Sequence, residues 1–119
     1  SAPEAISLQR SIDLSRADIV DVVDAFERFR DSGDAEAIAD RTLQRPELNN
    51  PNSTAPDIES FYIQLATARR FLQRLDIHLM SASTTEELES LLAITDKRAF
   101  ELNQSWIKAR RAAVRFKRG

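Results

Sequence analysis

The chain contains no cysteine among its 119 residues, so disulfide staples, thiolate metal sites and a cysteine nucleophile are all excluded. Only two glycines are present, Gly33 and the terminal Gly119, which removes the glycine-rich phosphate loop. The same shortage, with few Val, Ile or Thr runs, disfavours a sheet and its tight turns. No apolar run approaches the roughly 20 residues that a membrane-spanning helix requires. A single histidine, His78, stands beside apolar Leu75 and Leu79 with no second histidine or paired glutamate at ligand spacing, so it reads as a boundary residue.

What remains is 42% hydrophobic and 30% charged, the balance of a soluble globular domain with one core. The class expected is all-α: an antiparallel helical bundle of three long helices, at about 4–31, 56–80 and 84–117, plus a short helix at about 35–44. The whole of 1–119 is expected to form one domain, with an irregular loop over 45–55.

Each long helix shows an apolar seam spaced by threes and fours. In the first it runs Leu8, Ile12, Ser15, Ile19, Val22, Phe26 and Phe29. Ser15 is the polar interruption: either the helix passes through it, the version preferred, or Ser15 and Asp18 form a capping box that starts a new helix there. Gly33 is expected to end the helix in a left-handed conformation. Asp34 then caps the short helix, whose apolar side is Ala35, Ile38, Ala39 and Leu43. Leu48 is the large anchor in the loop that follows. Thr54 with Asp57 around Pro56, and Ser83 with Glu86, read as capping boxes for the third and fourth helices. The third helix carries Ile58, Phe61, Leu65, Ala68, Leu72, Leu75 and Leu79, broadened by Tyr62, Phe71 and Met80, and so is expected to be the central helix.

The final helix keeps the longest seam: Leu88, Leu92, Thr95, Ala99, Leu102, Trp106, Ala109, Ala113 and Phe116. Its end is basic and free of acids. Trp106, Lys108, Arg110, Arg111, Arg115, Lys117 and Arg118 form the candidate interaction surface. Residues 1–60 hold thirteen acids and six bases, while residues 61–119 hold six acids and eleven bases, so opposite halves attract within one chain or between copies. If the third and fourth helices form a hairpin with a turn at 81–83, Pro56 falls beside Lys108. The last ten residues then overhang by about 15 Å at 1.5 Å per residue, towards the acidic stretch 31–59.

Asp18, Asp21, Asp24, Glu27 and Asp31 make a carboxylate row, interrupted by Arg28 and Arg30, that reads as a solvated face and not a cation site. No nucleophile elbow or catalytic carboxylate pair is evident, and no cofactor, catalytic or metal residue is assigned. The function expected is a non-enzymatic protein–protein interaction module, of the adaptor, chaperone, effector or assembly kind, whose partner is another protein or a second copy. An alternative is binding of nucleic acid or an anionic membrane surface through the basic end, against which the pI near 5.4 argues. A further alternative is an exported bundle sensing a small ligand. A soluble chain is expected, with the cytoplasm favoured over export.

Overall fold

A computed structural model describes residues 1–116. Helix α1 spans Ala2–Asp31, α2 spans Ala35–Ala39, α3 spans Pro56–Ser81 and α4 spans Thr85–Arg115. Between α2 and α3 lie a π turn at Asp40–Gln44 and a 3-10 turn at Pro46–Asn49. Among the described residues all regular structure is helical, as the composition requires. The bundle is a rod of 59 × 28 × 19 Å.

α1 runs unbroken through Ser15, because that residue is not a cap but a buried seam position whose hydroxyl donates to the Asp96 carboxylate on α4. Ser15 meets Asp96 and Phe26 meets Trp106, so α1 and α4 run parallel. Phe26 meets Phe61 while Arg16 pairs with Asp76, so α3 runs antiparallel to both.

The central helix is α4, not α3. α4 packs along both other long helices, whereas the backbones of α1 and α3 come close at few points. The small side chains Ala99, Ala109 and Ala113 on α4, all buried, let its neighbours approach closely. Of the residues that broaden α3's apolar pattern, Tyr62 and Phe71 pack against the core while Met80 is left in water, as are Ile63 and Ile77.

The core has two apolar parts. The larger gathers Ile19, Val22, Phe26 and Phe29 with Phe61, Leu65 and Leu102; the smaller holds Ile12, Leu75 and Leu88. Phe71 packs against both. Between them lies a polar level of Ser15 and Thr95, the latter fully buried with its hydroxyl donated to the Leu91 carbonyl. Phe26 and Phe61 are each essentially buried, and removal of each ring from water contributes about 2–3 kcal/mol.

Several local expectations are corrected. Gly33 does not adopt a positive φ. α1 ends in extended backbone at Ser32, and the Arg41 guanidinium donates to the carbonyls of Ser32 at 2.6 Å and Phe29 at 3.4 Å. That arginine supplies donors which a left-handed glycine cap would otherwise bring to the helix end. Asp34 occupies the cap position of α2, yet its side chain makes no cap hydrogen bond, and its own N–H donates to Ser32 Oγ. The stretch expected as one helix at 35–44 widens into a π turn after Ala39, and its apolar side is not buried: Ile38 and Leu43 are exposed. The anchoring falls to Leu48, which is fully buried and whose carbonyl accepts from the Tyr62 hydroxyl at 2.7 Å.

The capping box at Thr54 and Asp57 does not form: α3 is capped at Ala55, and Ser53 Oγ accepts from the Ala55 N–H. Pro56 does stand in the first turn, where its missing N–H is not needed. At α4 the box lies one residue later than expected. Thr84 Oγ1 accepts from the Glu87 N–H, and Glu87 in return accepts from the Ser83 N–H and hydroxyl. The expected end of this helix at 117 falls outside the described residues, which are helical through Arg115.

Candidate interaction surface

The basic end of α4 divides among three environments. Trp106 is half-buried at the edge of the core, stacked edge-on to Phe26 at 6.3 Å and tilted against Phe61 at 5.1 Å. Arg110, one turn later, lays its guanidinium 5.2 Å from the centre of the Trp106 ring. The same guanidinium stands 3.3 Å from Asp40 Oδ2, while Arg45 Nη1 stands 2.7 Å from Oδ1 of that carboxylate. Asp40, largely buried in the π turn, therefore holds two arginines in place beside the indole. One carboxylate of the connector is thus shared by two guanidiniums, so the charge of Arg110 is offset in part and not cancelled.

Lys108 lies on a different side of α4. It shares a groove with Asp57, Ser60 and Gln64 of α3, which agrees with the expected register of Pro56 beside Lys108. Arg111 and Arg115 are exposed and make no ion pair with any described residue. With Arg45 and Arg110 they surround a groove of about 480 Å³ floored by Trp106, Ile107 and Val114. Lys117 and Arg118 lie outside the described residues.

Trp106 also closes a second groove, of about 670 Å³, between α1 and α4. Its sides are Asp18 and Asp21 from α1 and Asp96, Phe100 and Asn103 from α4. One face of α4 thus passes from acidic, at the level of Asp96, through Phe100, Trp106 and Ile107 to basic at Arg110, Arg111 and Arg115. Phe100 is 67% exposed and Val114 is 54% exposed. Phe100, Ile107 and Val114 are seven residues apart, so they form one line down the helix. Sequence reasoning passed over Phe100 because it lies off the core seam. The signal that would have found it is this second, outward seven-residue repeat on the same helix.

The side chains gathered here suit binding more than proton transfer. Guanidinium groups stay charged and present forked donors to carboxylates or phosphates. The exposed Asp18, Asp21 and Asp96 present acceptors only. His78 is exposed near the opposite end of the rod, in a groove with Arg74 and Arg98. Among the described residues, no group of three His, Asp or Glu side chains is placed to hold a metal ion. No described helix is long and apolar enough to cross a membrane.

Compared with protein families, curated proteins and solved structures, the chain matches none.

Proposed function

We propose that the chain is a non-enzymatic interaction module that engages another polypeptide through the exposed α1–α4 face. The observation that carries this reading is the outward line of Phe100, Ile107 and Val114, bordered by Arg111 and Arg115, which have no partner among the described residues. A large aromatic side chain two-thirds in water, set in a charged rim, is the pattern of a protein-binding surface and buries little of its ring in the isolated fold. The test is affinity capture with the native chain and with Phe100→Asp, both shown to be folded by circular dichroism. Polypeptides retained by the first and lost by the second support the module; identical captures remove it.

The second reading, binding of an anionic polymer or membrane, draws on the four arginines around the groove floored by Trp106. Two of them are already committed to Asp40, and Lys108 faces elsewhere, so of the described cations around this groove Arg111 and Arg115 remain without an ion pair. Affinity for a polyanion grows with the number of phosphates neutralised, so two free cations support only weak, salt-labile association. RNA, DNA and anionic vesicles at low salt are the probes. Tight binding lost in the fourfold change of Arg110, Arg111, Arg115 and Arg118 to Gln would favour this reading over the first.

A further inference from the structure

The geometry points to a second copy of this chain as the occupant of the α1–α4 face, docked antiparallel so that the two α4 helices pair about a twofold axis crossing between Asn103 and Ile107. This rests on the interaction-module reading and names its partner. Twofold pairing requires a surface complementary to itself, in which whatever lies on one side of the axis matches what lies on the other. The face described above has that form. Its acids, Asp96 on α4 and Asp18 and Asp21 on the flanking α1, lie on the N-terminal side of the proposed axis, and its unpaired bases, Arg111 and Arg115, lie towards the C-terminal end of α4.

The spacing agrees on both sides. Asp96 precedes the proposed axis, and the midpoint of Arg111 and Arg115 follows it, by about 12–14 Å each at 1.5 Å per residue. Reversing one helix therefore brings the Asp96 level of each copy between Arg111 and Arg115 of the other, with Asp18 and Asp21 alongside. The exposed Phe100 of each copy meets Ile107 and Val114 of the other near the middle, which removes these apolar groups from water. Parallel pairing would instead set base against base and acid against acid.

Contact along two helices for about 30 Å, with the α1 flank added, covers on the order of 1,000 Å² in total, at the lower bound for a specific interface. The dimer expected is accordingly weak, concentration-dependent and loosened by salt.

The experiment measures mass in solution by light scattering and sedimentation, on folded protein, at low and high salt. The native chain is expected to move from one towards two chains as concentration rises at low salt, and back as salt is added. Two charge-reversed variants sharpen the test: Arg111→Glu with Arg115→Glu, and Asp18→Arg with Asp21→Arg. Each alone juxtaposes like charges and is expected to be monomeric. Mixed one to one they restore opposite charges at both ends of the interface, and a mixed dimer is expected. Asp18 and Asp21 form no ion pair with a described residue, so these changes break nothing seen within one chain.

A native chain that stays monomeric throughout, assemblies that grow past two chains, or folded variants that fail to associate on mixing would each overturn the dimer. If the monomeric chain still retains a different polypeptide through Phe100, the dimer falls and the module reading stands. If Phe100→Asp also changes no capture, both fall.

Discussion

Ser15 on α1 donates its hydroxyl to the carboxylate of Asp96 on α4, across 81 positions of sequence. The bond lies at the polar level between the two apolar parts of the core, and it fixes which turn of α1 faces which turn of α4. Seams that repeat every three or four residues leave several axial registers nearly equivalent. A single polar pair within them favours one.

Ser15→Ala is therefore expected to lower stability by about 1 kcal/mol, the usual cost of a lost side-chain hydrogen bond whose partner can turn to water. Asp96 is exposed, so a larger penalty for an orphaned buried charge does not arise. Urea denaturation measures it. A loss above about 3 kcal/mol would mean that the register itself has shifted.

Leu48 and Tyr62 pin the connector to the bundle. Leu48→Ala empties a fully buried site and is expected to cost about 2–5 kcal/mol, far more than the same change at exposed Leu43. Tyr62→Phe removes the donor to the Leu48 carbonyl and is expected to cost about 1 kcal/mol. Comparison of the three variants in one denaturant series checks the order.

Tyr62 also gives a pH signature. Burial pushes its hydroxyl above the ordinary phenol range, with a smaller opposing effect from the Arg30 charge. The folded state thus prefers the protonated phenol more than the unfolded chain does. Its contribution is complete below the ordinary tyrosine pKa and is lost as pH rises through the higher folded value. Native protein is expected to lose stability in that alkaline window, and Tyr62→Phe to lose less of it. Spectrophotometric titration of the phenolate, paired with melting curves, tests the sign.

Asp40 joins Arg45 and Arg110, so Asp40→Asn leaves two guanidiniums facing each other beside Trp106. We expect a loss of about 1–2 kcal/mol at low salt that shrinks as salt screens the arginines. A loss independent of salt would show that the effect is packing and not charge.

Thr84→Ala is expected to destabilise α4 by about 1 kcal/mol, since the threonine accepts from the Glu87 N–H at the helix start. Glu86→Gln, in the position first expected for the box, should change stability by a few tenths of a kcal/mol, in the range of surface substitutions. Thermal melts of the pair decide which residue closes the box.

The residue pattern alone sets out the three long helices, their seams and most of the core, because periodicity every three or four residues is written directly in the chain. It also determined that Ser15 interrupts one seam, and that acids and bases are divided between the halves. The three-dimensional packing was needed to place α4 and not α3 at the centre, because the apolar breadth of a helix does not say which sides its neighbours occupy. It decided too that Arg41 replaces a glycine cap and that Asp40 claims Arg110, since both contacts depend on how the connector folds back. The candidate surface was half legible. Its arginines stood out as a run, but Phe100 and the acids opposite became part of one face only when α1 was laid parallel to α4.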